Sequence, residues 1–353
     1  MAALISPPQW FPMSVRSVGC STPFGSEIGE VCDRIMALER LEPAAMEIPG
    51  RSVAGAVLRV PPSETIGREV ARLRRSSTIS LFACEAARRA IAAVPNINLT
   101  RTALIFASTN GAVIYTRKFY KDVVECGNGS PIFFPETVYN APASHVAAAL
   151  GIDGEVLTLV SDATAACDAL RMASELIASD TVETCLVVAS EELDPITWEA
   201  YHRWGLARSM EKSRGAVLSE GAVALVLGRA NPAHPQIERV HPGGVYRRSL
   251  PAREALCRVL GELCDTSRPD LVVSSHSGTR FDQPETDALA SLFPNTPIVP
   301  PIQSTGEAFA VSALLQTAVA IEQIRRNAAQ SILIPVTGWN GHVGGLLCGR
   351  PAA

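Results

Sequence analysis

A chain of 353 residues, 47% hydrophobic and only 19% charged, is too apolar for disorder and long enough for two or three domains or one large α/β body. Thirty-one basic against thirty-five acidic side chains leave a net charge of −4, which offers a nucleic-acid backbone no electrostatic hold. Nine irregularly spaced cysteines form neither a disulfide framework nor a zinc pair, and the chain lacks a long apolar run, so the expectation is a cytoplasmic protein with no membrane span, metal or cofactor.

Taken in order, SVRSVG at 14–19 reads as a strand and the CSTPFG turn after it leads into a helix around 26–38. A polar stretch follows without a clear pattern. Serines cap a run with apolar residues at helical spacing, which predicts a buried helix over about 77–93. The apolar run 103–108, the segment VLTLV at 156–160 and CLVVAS at 185–190 have the character of strands covered on both faces, and a helix over 164–178 makes the latter two a parallel crossover unit. SRGAVLSEGAVALVLGR reads as two strands joined in a hairpin at Ser219-Glu220-Gly221, and Ala230 to His241, with Pro232 and Pro235, as a connection.

The second half offers a helix over 252–264, the strand LVVSS at 271–275, a helix near 285–292, a long helix over 309–326 and the ending ILIPVTGWNGHVGGLLCGR. SEGAVALVLGR and NGHVGGLLCGR lie 121 residues apart and both finish on Gly-Arg. The weak repeat predicts two similar α/β halves, 1–235 and 236–353, related by a pseudo-twofold with the site between them.

These segments resemble the β-ketoacyl synthases of the thiolase fold. RRSSTISLFACEAARRAI is similar to the family's early buried helix, SPIFFPETVYNAPASHVAAALGIDG to its dimer-interface segment, RGAVLSEGAVALVLGR to its DGFVxGEGAGxLVLE stretch and SSHSGTRFDQPETDAL to its HGTxTxxxDxxE segment. The resemblance covers nearly the whole chain and implies an α/β fold layered αβαβα with mixed sheets.

A condensing member needs a cysteine thiolate at a helix N-terminus, two histidines and a lysine that stabilise the enolate and the developing oxyanion. In SDATAACDAL, counting five back from Asp168 places Ala163 at the nucleophile position, a register that turns Cys167, Leu170, Ala173 and Ile177 to one apolar face. Competing registers put Thr164 or Cys167 there. His276 stands at the first histidine position. The KxxxGH motif is replaced by QSTGE, with Glu307 at the second histidine position, Gln303 the nearest polar substitute and no lysine beyond Lys212. An ionised carboxylate cannot donate to an oxyanion, and Glu307 also suits the N-terminus of the following helix.

VTGWNGHVGG is similar to the family's GFGGxN gating loop, with Trp339 in place of the Phe and His342 as a possible acid or base. Phe133 and Phe134 fall where members shape the acyl tunnel, so these two, Trp339 and His342 are the substrate-binding candidates. Of Glu191 and Glu192, adjacent on a strand, one is expected to be structural and the other solvated.

The resemblance implies a degenerate synthase subunit like the chain-length factor, which pairs with a catalytic ketosynthase and lends it part of the acyl tunnel wall. The expected partners are that subunit or a second copy, and an acyl carrier protein or acyl thioester. The rival reading is an acyltransferase on the same fold using Thr164 or Cys167 with His276 or His342.

Overall fold

The computed structural model describes residues 9–62, 73, 75–265 and 268–350. Its strands are β1 (Met13–Ser21), β2 (Ala44–Met46), β3 (Gly55–Leu58), β4 (Thr102–Ser108), β5 (Val156–Val160), β6 (Thr184–Glu191), β7 (Leu218–Ser219), β8 (Gly221–Arg229), β9 (Gln236–Val245), β10 (Leu271–Val273), β11 (Ile298–Val299), β12 (Ser331–Thr337) and β13 (His342–Gly349). The α-helices are α1 (Ile28–Met36), α2 (Thr78–Ala92), α3 (Val113–Cys126), α4 (Ala141–Leu150), α5 (Ala165–Ala178), α6 (Pro195–Arg203), α7 (Ala252–Leu263), α8 (Asp282–Leu292), α9 (Pro301–Thr305) and α10 (Ala310–Arg325).

Ten strands run in the order β11-β10-β12-β13-β9-β1-β8-β6-β4-β5. β1 and β9 touch through Met13 on Ile237 and Ser14 on Gln236, and the strands on either side of that junction are built alike. On one side β4 lies parallel to β5 and β6, and β8 is antiparallel to β6 and β1. On the other β10 lies parallel to β11 and β12, and β13 is antiparallel to β12 and β9.

The alternation of side chains along these strands sorts the apolar core into three parts. Ile105, Val187 and Leu225 point to the same central core as Val273, Ile334 and Leu346, and α5 and α10 fill it. Leu104, Phe106 and Val188 point the other way onto α2 and α4, and Val272, Leu333 and Leu347 onto α7 and α8. The result is helix, sheet, helix, sheet, helix, the layering the resemblance implies. Gly19 lets β1 and α2 touch backbone to backbone, since a Cβ there would lie 2.1 Å from the Ala86 carbonyl oxygen.

Three readings of the chain are corrected. The hairpin at Ser219 does not form: β7 leaves to pair parallel with β3, while β8 pairs with β1 and β6. The two segments adjoin in sequence, and short apolar runs do not reveal their partners. The supposed connection at 230–241 contains the start of β9, whose Pro242 and Gly243 sit in a bulge where the register against Val343 and Gly345 shifts. The polar stretch after α1 contains β2 and β3.

Candidate functional site

The turn from β5 into α5 carries Asp162, Ala163 and Thr164. Asp162 is buried and its Oδ1 accepts the Thr164 N–H at 3.0 Å and the Thr164 hydroxyl at 2.9 Å, an Asx turn that starts the helix. Its Oδ2 accepts the Asn340 N–H at 3.3 Å and lies 3.4 Å from His342 Nδ1, so this carboxylate ties α5 to the glycine-rich turn between β12 and β13. Gly338 makes the approach possible, because a Cβ there would stand 2.0 Å from Asp162 Oδ2. Ala163 is partly buried against the central core and has no heteroatom in its side chain.

Thr164, Cys167, Asp168, His241 and His342 line a cavity of about 220 Å³ beside this turn. Burial, then the neighbouring Asp168 and Asp162 carboxylates, push the Cys167 thiol well above its ordinary range. His342 is largely exposed and stands nearest Asp162, while the Thr164 hydroxyl proton is already given to the same carboxylate.

Glu307 is buried just before α10. Its Oε1 accepts the Phe309 N–H at 2.7 Å and the Ser312 hydroxyl at 2.8 Å, and desolvation raises its pKa to about 7, helped by the Asp282 and Asp162 charges. Phe309, between Glu307 and the helix, has a φ of 53°, a conformation costing about 1–3 kcal/mol for a side chain of this size. Its ring lies 4.7 Å from that of Tyr201 and 5.6 Å from that of Trp339, and Tyr201 and Trp339 are 5.4 Å apart. Three aromatic rings therefore fill the space beside Glu307.

His276 follows β10, with Nε2 at 3.2 Å from the Thr286 hydroxyl and 3.7 Å from Glu285 Oε1. Glu285 is buried and accepts the Ser275 N–H and the Thr337 hydroxyl, and the imidazole's hydrogen bond is the one with Thr286. Gln303 points to solvent, where its Oε1 accepts Arg40 Nη2. The structure thus groups Asp162, Thr164 and His342 on one side, and Glu307, Phe309 and Trp339 on another.

Phe133 and Phe134 sit apart from these groups, against α3: Phe133 edge-on to Tyr115 at 5.4 Å and Phe134 tilted on Phe119 at 5.6 Å. Not one residue of α3 is buried. Polar tethers hold the helix instead. Glu192 Oε1 accepts the Ile114 N–H at 2.8 Å, and the Arg117 Nε donates to Asp194 at 2.8 Å. The outer side of α3 carries Tyr120 and Val124, the latter 83% exposed, and with Ile196 it lines an apolar groove of about 440 Å³.

Glu191 and Glu192 are both fully buried, which corrects the expectation of one solvated carboxylate. Glu191 accepts the backbone N–H groups of Thr109 and Asn110, and Glu192 those of Ile79 and Ile114, so the strand end places each beneath a different loop. Asp162 and Tyr201 were not singled out from the sequence. The Asp-x-Thr start of an apolar helix is a legible signal for the former, whereas Tyr201 meets Phe309 and Trp339 only through the tertiary fold.

Residues 64–233 match the family model of the β-ketoacyl synthase N-terminal domain. That segment is similar to a β-ketoacyl synthase N-terminal domain. No curated protein matches the sequence. Among solved structures this chain is similar to the ishigamide ketosynthase/chain length factor, with 17% identity, a TM-score of 0.78 and coverage of 97% of this chain and 100% of that one. A ketosynthase in complex with its chain length factor from Xenorhabdus doucetiae gives 13%, 0.76, 96% and 98%, and a β-ketoacyl synthase from Burkholderia phymatum STM815 gives 17%, 0.80, 96% and 99%. Likenesses at such identity are likenesses of fold, and the fold of this chain is thiolase-like. Among its described residues no helix is long and apolar enough to cross a membrane.

Proposed function

We propose that this chain is a non-condensing β-ketoacyl synthase subunit, similar to a chain-length factor, that pairs with a catalytic ketosynthase and walls part of its acyl path. The observation that carries this reading is the charge of the cleft. A condensing site presents hydrogen-bond donors where negative charge develops. Here Asp162, within Ala163's turn, and Glu307, ahead of α10, are buried carboxylates, and Tyr201, Phe309 and Trp339 pack together beside Glu307.

The exposed α3 supports the partner. A fourteen-residue helix rich in β-branched and aromatic residues is marginal alone in water, and one with no fully buried residue gains from a second chain laid over it. Two of the similar structures are described by name as ketosynthase with chain length factor, and another shows a carrier protein with its ketosynthase, which makes a carrier-borne acyl thioester the expected cargo. The product class is a polyketide, an aryl polyene or a fatty-acid-type chain, made in the cytoplasm.

Intact-protein mass spectrometry after incubation with acyl thioesters on CoA or carrier protein tests the proposal. The expected result is no covalent adduct on the wild type, on Thr164→Ala or on Cys167→Ala. An adduct on the wild type that disappears in one variant would name a nucleophile and overturn it. The Thr164, Asp162 and His342 grouping makes Thr164 the residue to watch in that case.

A further inference from the structure

Asp162 divides its two carboxylate oxygens between tasks. Oδ1 is taken by the Thr164 N–H and hydroxyl, whereas Oδ2 lies 3.4 Å from His342 Nδ1. The acid is buried, with 3% of its side chain exposed, and the imidazole is 46% exposed. A ring held at Nδ1 by a buried acid turns its other nitrogen away from it, and among the described residues none is hydrogen-bonded to His342 Nε2. Ser161, Thr164, Asp168, Gly243 and Gly344 line with this ring the cavity of about 220 Å³. At about 30 Å³ for each water, the cavity has room for several.

The side-chain nucleophiles nearby are committed elsewhere. The Thr164 hydroxyl donates to Asp162, and Cys167 is buried beneath Gly344, where a Cβ would stand 3.1 Å from its Sγ. The Ser161 hydroxyl shares the cavity but is not hydrogen-bonded to the ring. We infer that Asp162 and His342 form a general-base pair that hydrolyses short acyl thioesters, with water as the nucleophile.

His342 Nε2 takes one proton of the water as the water oxygen bonds to the carbonyl carbon. The carbon–sulfur bond then breaks, and the same nitrogen returns the proton to the departing sulfur. One water and one thioester become one carboxylic acid and one thiol, with no acyl group left on the chain. Asp162 acts through the ring and is a positioning residue: it keeps the proton on Nδ1 and stabilises the imidazolium as it forms. A contact of 3.4 Å suits this role, because such hydrogen bonds are often long before substrate binds and tighten when it does. A carboxylate at the nucleophile turn opposes condensation, but behind an imidazole it strengthens a base. The choice of a thioester rests on the cargo proposed above, and in that assembly the reaction removes acyl groups that are not extended.

Thiol release from acetyl-CoA by the full chain, followed with a thiol-reactive dye, tests the inference. The expected result is slow turnover whose rate rises with pH through about 6.5, as the imidazole loses its proton. The charged or titratable groups facing His342 are Asp162 and Asp168 from the start of α5 and His241 from β9. His241 is buried and bonded through Nε2 to Glu262 at 2.9 Å, so the rise belongs to His342. His342→Ala is expected to lower the rate about 100-fold and to remove the rise, and added imidazole to restore part of the loss. Asp162→Asn keeps an oxygen for Thr164 and is expected to slow the reaction and move the rise to lower pH. A rate no higher than that of buffer, or one that His342→Ala leaves unchanged, would overturn the inference and leave the partner-subunit reading standing. An acyl adduct on the wild type that Ser161→Ala removes would overturn both, since the chain would then carry its own nucleophile.

Discussion

Glu192→Ala is expected to loosen α3 and with it the face proposed for the partner. The Glu192 carboxylate accepts three bonds from two different helix starts: the Ser77 hydroxyl at 2.5 Å, the Ile79 N–H at 3.0 Å and the Ile114 N–H at 2.8 Å. The first two cap α2, which packs on the sheet; the third holds α3, none of whose residues is fully buried. Each donor left unmade in a buried place costs about 1–3 kcal/mol, so the substitution is expected to destabilise the fold by about 3–5 kcal/mol, after allowing for the relief of a buried carboxylate. Urea unfolding checks the total. Hydrogen exchange checks the mechanism, because amide protection should fall furthest in 113–126. Glu192→Gln, which keeps an acceptor, should lie between the two. If α3 kept its protection in Glu192→Ala, Arg117 on Asp194 would be its sufficient tether, and the pairing face would not depend on Glu192.

What was legible in the sequence divides along the same physical line. Strands β4 and β6 and helices α2, α5, α7 and α10 announce themselves, because each is covered on two sides or on one broad stripe and its apolar pattern is set by that burial. Strand β5, read from its apolar run as covered on both faces, is instead a half-exposed edge strand with Val156 and Val160 40% and 47% exposed. Helix α3 gave no such signal, since none of its residues is fully buried and its anchors are two carboxylates some 80 residues away in sequence. Strand β9 was hidden by prolines that end just before it, and by Pro242, which a bulge accommodates. The cleft was half legible. Motif spacing led to Ala163, His276 and Glu307, and an Asx turn pointed to Asp162 for anyone counting side-chain oxygens. That Asp162 and Glu307 act on one another, and that Tyr201 reaches Phe309 and Trp339, depends on the crossing of α6 with the two halves, which no local pattern encodes.

The carboxylates of the cleft lead to a pH dependence of stability. Burial raises Glu307 and Glu191 from 4.5 to about 7 in the folded chain. A carboxyl group whose pKa is higher folded than unfolded binds its proton more tightly in the native state. Its contribution is therefore full below pH 4.5 and is lost as pH rises through 7, the reverse of a salt-bridged carboxylate. Each group is expected to cost the folded state up to about 3 kcal/mol between those limits. Glu307→Gln keeps an oxygen to accept the Ser312 hydroxyl and the Phe309 N–H but cannot ionise. It should match the wild type at pH 5, exceed it in stability at pH 8, and remove about half of the slope between them, with Glu191 carrying the rest. Unfolding midpoints at the two pH values read this out directly. A wild type equally stable at both would mean that Glu307 stays ionised through the range, with Ser312 and the Phe309 N–H enough to hold its charge. The cleft would then be fully anionic at neutral pH and still less suited to an oxyanion. The expected result instead leaves Glu307 shared between its two forms near neutrality.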